Sequence, residues 1–152
     1  MNPKVLHNLT MIPFFLFGII ALVMGIRWLS HPDPWLLDKL ANETILKESF
    51  QDLFKREGND NLSLYLTNIY RFFGLWVSST GALTLVFTYL TRLGTPLSRA
   101  LIQSVYLFQL VGATYLLHVY IPNSHFKYLA GAFWVLYAMS FWSGIQLNKF
   151  DN

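Results

Sequence analysis

The sequence has no cysteine, and few of its residues carry a charge. The absence of thiols excludes disulfides, thiolate nucleophiles, thiolate metal sites and CxxC redox chemistry. Charged residues make up 12% and apolar residues 54% of the 152 residues, whereas about 25% of the residues of a soluble domain are charged. This composition indicates a membrane protein. The net charge of +3 is small and the basic residues form no patch, so nucleic acid is not a predicted partner.

Acidic residues are absent from the long apolar runs, because seven of the eight lie between Asp33 and Asp60. A proton relay, a carboxylate metal site or an acid–base pair at the bilayer centre is therefore not available. The sequence also lacks H-E-x-x-H, G-x-S-x-G and a glycine-rich phosphate loop. Haem usually requires paired histidines on facing helices, and only His118 lies within a run. We therefore predict no catalytic residue, no metal and no cofactor.

Four apolar runs, at about 11–29, 72–90, 100–121 and 128–147, are long enough to cross a hydrocarbon core of roughly 30 Å. Backbone polar groups in lipid must be paired within the segment, so the runs are predicted to be transmembrane helices. The links 91–99 and 122–127 are short, which favours antiparallel neighbours. The predicted fold is a single all-α membrane domain over residues 1–152, an antiparallel four-transmembrane-helix bundle. The first run is predicted to be a retained helix rather than a cleaved signal peptide.

The first two runs are separated by a long extramembrane loop at 30–64. Asp33 followed by Pro34 favours a helix start. Farther on, apolar residues recur at helical spacing and predict one shared face, namely Leu46, Phe50, Leu53 and Phe54. We predict one or two short amphipathic helices that lie on the membrane surface or cap the bundle. A solvated helical hairpin without a binding role is an equally good interpretation.

Basic residues give the predicted orientation. Arg92 and Arg99 lie in the link at 91–99. In a four-span protein this link, Lys4 and Lys149 lie on the same side of the membrane. The positive-inside rule then places both termini in the cytoplasm. The four basic residues of the long loop favour the opposite orientation.

Small residues recur at spacings that allow helix axes to approach closely. The candidate packing residues are Gly18 and Gly25 on the first helix, Gly74, Ser78 and Ala82 on the second, and Ser140 and Gly144 on the fourth. The favoured interpretation is packing within one bundle, and the alternative is a seam between two copies.

Ionisable residues near the spans gather toward the end that carries the long loop. These are Arg27, Arg71, His118 and His125. Two arginines and two histidines with nearby tyrosines are suited to bind a phosphate or carboxylate headgroup. The alternative is that the arginines snorkel to the interface and the tyrosines form an aromatic belt.

The third run has a polar character from Gln103, Tyr106, Gln109 and Thr114. Two interpretations fit these side chains. They line a cavity for a quinone or sterol, or they hydrogen-bond across helices.

The stretch RFFGLW at 71–76 resembles a pattern in two groups of small four-helix membrane proteins. One is the ergosterol-biosynthesis scaffold family of the endoplasmic reticulum, and the other is the group of bacterial DoxX-like proteins. The first resemblance implies a tether for membrane enzymes rather than a catalyst. No functional residue is transferred from either group.

These observations favour a non-catalytic function as an integral membrane accessory, scaffold or lipid-binding protein. The predicted partners are membrane lipids and a larger membrane protein complex. The alternatives are a membrane enzyme that acts on a lipophilic substrate near the interface, with Arg71 and His118, and a small oligomeric transporter.

Overall fold

The computed structural model describes residues 1–150, and the regular structure in this part of the chain is helical. The α-helices are α1 (Pro3–Ser30), α2 (Lys39–Leu46), α3 (Phe50–Lys55), α4 (Leu62–Thr91), α5 (Pro96–Val119) and α6 (Phe126–Leu147). Short 3₁₀ helices cover Pro34–Asp38 and Asn148–Phe150.

Four of these helices are long and apolar enough to cross a membrane. They have 28 residues in α1, 30 in α4, 24 in α5 and 25 in α6 with its 3₁₀ extension. At a rise of about 1.5 Å per residue, α4 is about 45 Å long, whereas a hydrocarbon core is roughly 30 Å thick. The helices therefore begin earlier than the apolar runs, at Pro3 rather than residue 11 and at Leu62 rather than residue 72.

Local capping explains where two of the long helices, α1 and α5, begin. Asn2 Oδ1 accepts a hydrogen bond from the Lys4 amide at 2.9 Å, and Pro3 occupies the first helical position. At α5, the Thr95 side chain caps the Ser98 amide and the Ser98 side chain caps the Thr95 amide. This reciprocal box satisfies two amides that a helix start leaves unpaired. It also makes α5 begin at Pro96, four residues before the predicted run.

Helix α1 packs on both α4 and α6, and α5 packs on α6. Aromatic side chains fill the space between these helices: the Phe14 and Phe17 rings of α1 lie 5.1 Å and 4.8 Å from the Tyr106 ring of α5. Phe17 also lies 4.8 Å from Phe133 of α6. The remaining members of this buried core are Leu93, Ile102, Leu110 and Tyr137.

The outer surface of the four long helices is strongly apolar. Large side chains on each are more than half exposed, among them Val23, Leu83, Phe108 and Val135. Soluble monomers rarely expose apolar surface of this extent. The helix lengths and this surface together are those of a multi-pass membrane protein.

The segment between α1 and α4 is divided more finely than predicted. Lys47 adopts a left-handed conformation with φ 56°, which ends α2 before α3 begins. Leu46 therefore lies on a different helix from Phe50 and is exposed, whereas Phe50 is buried. Phe50 and Phe54 pack on Trp35 of the 3₁₀ helix, with ring centroids 6.3 Å and 5.5 Å from it. The predicted common face thus extends over α3 and the 3₁₀ helix rather than over one continuous helix.

Candidate functional site

All four residues predicted to form an anion site are exposed side chains. Arg27, Arg71 and His118 share no hydrogen bond or ion pair with one another among residues 1–150. His118 Nδ1 lies 2.8 Å from the carbonyl oxygen of Thr114, one turn earlier in its own helix. The anion site at this end of the bundle therefore stays a prediction.

The fourth residue of that set, His125, lies against the segment between α1 and α4. Its Nδ1 is 3.4 Å from Asp38 Oδ1, and Ser124 Oγ donates to Asp38 Oδ2 at 2.8 Å. Ser124 Oγ also accepts from the Phe126 amide at 3.2 Å, at the start of α6. Asp38 is only 8% exposed. The carboxylate thus joins the segment to the link between α5 and α6, and we name Asp38, Ser124 and His125 the loop latch.

An apolar groove lies between α4 and the two short helices α2 and α3. It has a volume of about 350 Å³ and is lined mainly by aliphatic side chains and Phe50. Asn42 crosses one end, where its Nδ2 donates to Tyr70 Oη at 2.9 Å and to the Trp35 carbonyl at 3.3 Å. This bond fixes α2 to the first part of α4.

The small residues of α1 and α4 lie where these helices are closest. A Cβ atom placed on Gly25 would be 2.6 Å from the Gly74 carbonyl oxygen, and one on Gly74 would be 2.8 Å from the Gly25 oxygen. Farther along, a Cβ on Gly18 would be 3.1 Å from the Gly81 carbonyl oxygen. Ser78 is buried in the same contact, and Ala82 is half-buried. Such approach is possible only without side chains between the backbones.

Hydroxyl groups form a buried seam between α1 and α6. Ser140 Oγ donates to the Thr10 carbonyl at 2.7 Å, and Thr10 Oγ1 donates to Ser143 Oγ at 3.0 Å. All three side chains are fully buried. Ser140 and Gly144 therefore lie on the inner face of α6, where Gly144 borders both Thr10 and Gln103.

Polar residues of α5 bond across helices. Gln103 Nε2 donates to the Ser140 carbonyl at 3.3 Å, and Tyr106 Oη donates to Thr84 Oγ1 at 2.9 Å. Thr114 accepts from Trp134 Nε1 at 2.9 Å. Cross-helix bonding, one of the two interpretations of these residues, therefore applies to all three, and Gln103 also lines the cleft described below.

Arg99 is the most buried charged side chain among residues 1–150, with 2% of its surface exposed. Its Nε and Nη2 donate to Asn148 Oδ1 at 3.1 Å and 2.7 Å, and its Nη1 donates to the Leu93 carbonyl at 3.0 Å. These bonds fix the plane of the guanidinium group at the end of the bundle that contains the α4–α5 link. Burial of an arginine is costly unless its donors are satisfied, so this position needs its polar surroundings.

A cleft of about 290 Å³ opens beside Arg99, between α5 and α6. One end of it is polar, with Arg99, Gln103, Ser104 and Asn148. The remaining lining residues are Pro96, Ala100, Leu107, Tyr137, Phe141, Gly144 and Ile145. Several of these are exposed, including Ala100, Leu107 and Phe141, so the cleft opens onto the outer surface of the helix pair. We name it the α5–α6 cleft.

The predicted anion site does not include Arg99 or Asn148, whereas Gln103 is among the residues of the third run that the sequence offers as cavity-lining or cross-helix bonding side chains. By hydropathy Arg99 belongs to the link at 91–99, outside the third run. The signal that locates it is the capping pair Thr95 and Ser98 with Pro96 between them. Once α5 begins at Pro96, Arg99 and Gln103 fall one turn apart on the same face.

The stretch at 71–76 combines a buried residue with exposed ones: Gly74 packs on α1, whereas Arg71 and Trp76 are exposed.

In comparisons with known proteins, no family model, no curated protein and no solved structure matches this chain.

Proposed function

We propose that this chain is a non-catalytic, multi-pass membrane protein that binds a membrane lipid in the α5–α6 cleft. The observation that carries the proposal is the division of the cleft into a polar end, with Arg99 and Asn148, and an apolar wall, with Leu107 and Phe141. A lipid has the same division into headgroup and chain. The cleft also opens sideways from the helix pair, which is the direction from which a lipid reaches a bundle in a bilayer.

The proposed arrangement is an antiparallel bundle with both termini on the cytoplasmic side. Contacting pairs support it, because Gly18 lies beside Gly81 and Gly25 beside Gly74, in opposite sequence order. The pairs Thr10–Ser140 and Phe17–Phe133 have the same property for α1 and α6. Arg92 of the α4–α5 link, together with Lys4 and Lys149, favours the cytoplasm for that face.

Single-cysteine labelling is expected to divide the exposed positions into two groups. Cysteines at Asn2, Gly94 and Lys149 should react from the cytoplasmic side, and those at Asp60 and Asn123 from the other side. Since the natural sequence has no cysteine, each variant carries one reactive thiol. All five positions are exposed. Labelling of positions 2 and 149 from opposite sides would reject the four-span bundle.

The segment between α1 and α4 supports an accessory or scaffold role for the same protein. The loop latch holds one part of it against the α5–α6 link, and the bond between Asn42 and Tyr70 holds another. A segment fixed in this way offers a partner a constant surface at the membrane boundary. We propose a larger membrane protein as that partner.

Filling the α5–α6 cleft is expected to remove the bound lipid. Ala100→Trp places a large ring at an exposed lining position, and Ala113→Trp places the same ring at an exposed position of α5 outside the cleft. After gentle detergent purification, native mass spectrometry should detect retained lipid on the natural protein and on Ala113→Trp, but little on Ala100→Trp. Equal retention by both variants would show that the cleft is not the lipid site.

A further inference from the structure

We propose that two copies of this chain associate through one face of α5, with the Gln109 side chains of both copies hydrogen-bonded to each other near the middle of the membrane. We name this face the α5 seam, and it is formed by Val105, Gln109, Gly112, Leu116 and Val119. The inference goes beyond the proposed function, because the α5 seam and the α5–α6 cleft lie on different faces of the helix.

Gln109 differs from the other polar residues in the middle of α5. Gln103, Tyr106 and Thr114 each form a hydrogen bond to a neighbouring helix, whereas the half-buried Gln109 side chain has no hydrogen-bond partner within residues 1–150. An amide in an apolar environment is strongly destabilised when its hydrogen bonds are not formed. Gln109 therefore lacks, within its own chain, the partner that a membrane interior requires.

The depth of Gln109 limits where such a partner comes from. Gln109 follows Pro96 by thirteen residues and precedes Val119 by ten, which corresponds to about 20 Å and about 15 Å along the helix axis. A glutamine side chain cannot reach water at either end from this position. The hydrocarbon core contains neither water nor lipid polar groups, so the partner is a polar group of another protein helix.

The residues of the α5 seam follow the repeat of helices that pack side by side. Successive members are four, three, four and three residues apart, which is the spacing of the a and d positions in a heptad. Val105, Leu116 and Val119 are 54%, 53% and 53% exposed, and a Cβ atom placed on Gly112 would meet nothing within 4 Å. The described helices thus leave a helix-packing face of α5 largely uncovered.

The chemistry of Gln109 points to a second copy as the occupant of this face. A carboxamide has both an NH₂ donor and a carbonyl acceptor, so it is complementary to another carboxamide. Two copies with the same orientation in a membrane are related by a two-fold axis perpendicular to it, and each seam residue then faces its own equivalent. Both Gln109 amides lie at the same depth, where each donates to the other. A single polar residue in an apolar seam also fixes the register of the two helices.

Neither charge nor the lipid cleft opposes this pairing. Arg99 is the one lysine, arginine, aspartate or glutamate of α5, and its side chain is buried. Residues two positions apart on an α-helix point about 160° apart, so Leu107 of the cleft and Gln109 of the seam face different directions. Association through the α5 seam therefore leaves the α5–α6 cleft open.

The first test measures association in lipid vesicles. Lys149→Cys, at an exposed position, carries a donor or an acceptor dye, and Förster resonance energy transfer at decreasing protein-to-lipid ratios gives the dissociation constant of the dimer. Gln109→Leu should raise this constant about tenfold, because the interhelical hydrogen bonds are lost. Gln109→Asn keeps a carboxamide and should raise it less. Gln146→Leu, the same change at a half-buried position of α6, is the control and should leave the constant unchanged.

Cross-linking locates the α5 seam even if Gln109→Leu does not fold. The natural sequence has no cysteine, so any disulfide of a single-cysteine variant joins two copies. Val105→Cys and Leu116→Cys should form disulfides when vesicles are oxidised with copper phenanthroline, because a disulfide requires its two Cα atoms to approach within about 7 Å. Val111→Cys is the matched control. Val111 is 54% exposed, as Val105 is, but it lies outside the seam.

Four results would overturn the proposal. Energy transfer of the natural protein no greater than that of random proximity at every ratio would reject association with a second copy, and transfer that requires three or more copies would reject the two-fold pair. Equal cross-linking of Val111→Cys and Val105→Cys would reject the α5 seam. A dissociation constant that is the same for Gln109→Leu and the natural protein would reject the bond between the two amides.

Discussion

Replacing Gly25 with alanine is expected to lower the free energy of unfolding by about 2–3 kcal/mol, the upper part of the range for overpacking. The new Cβ would overlap the backbone nitrogen of Ser78 and would lie 2.6 Å from the Gly74 carbonyl oxygen. Its closest neighbours are backbone atoms of another helix, which no rotamer change can move. The two helices would have to separate along their contact, and close packing is what holds helices together in lipid.

A glycine in open space provides the matched control. Gly112 lies on α5, and a Cβ atom there would meet nothing within 4 Å. Gly112→Ala should therefore stabilise the protein by up to about 1 kcal/mol, because alanine is the better helix former. Thermal unfolding in detergent measures both variants. If Gly25→Ala were as stable as Gly112→Ala, the close contact between α1 and α4 would be refuted.

The long apolar runs, which contain no acidic residue and only Arg27 among lysines and arginines, were sufficient to predict four membrane-length helices. The ends of these helices were less predictable, because hydropathy reports the part of a helix in lipid and capping decides where the helix stops. The small-residue contact illustrates a second limit. A strict spacing of four residues selects Gly74, Ser78 and Ala82, but four residues advance a helix by about 40° more than one full turn. The three-residue step from Ser78 to Gly81 rotates the position back toward α1, and Gly81 is buried in the contact.

The α5–α6 cleft was harder to predict than the fold. It requires two facts that lie far apart in the sequence, namely the inward direction of Arg99 and the position of Asn148 at the end of α6. Hydropathy gives no information on either, since Arg99 follows Gly94 and Pro96 and resembles part of a surface link. The capping box at Thr95 was the local signal for the first fact. The pairing of Arg99 with Asn148 is a tertiary contact between residues 49 positions apart, and no local pattern encodes it.

Asp38→Ala is expected to release the segment between α1 and α4 from the long helices. The buried Ser124 hydroxyl would lose its acceptor, and an unsatisfied buried polar group costs about 1–3 kcal/mol. Hydrogen exchange should then become faster across Pro34–Asp38 and α2, while exchange within α1 and α6 stays unchanged. Ser124→Ala should produce the same acceleration, and the two substitutions together should cost less than their sum, because both remove the bond between Ser124 and Asp38.

Asp38→Asn separates the hydrogen bond of the loop latch from its charge. Asparagine keeps an oxygen that can accept from Ser124 and loses only the negative charge that faces His125. The His125 side chain is 62% exposed, and ion pairs of exposed side chains contribute little because water screens them. Asp38→Asn should therefore exchange nearly as slowly as the natural protein, and Asp38→Ala much faster. If Asp38→Asn and Asp38→Ala accelerated hydrogen exchange equally, the charge of Asp38 would be the stabilising feature. If neither did, the segment would be held by its packing around Trp35 rather than by the loop latch.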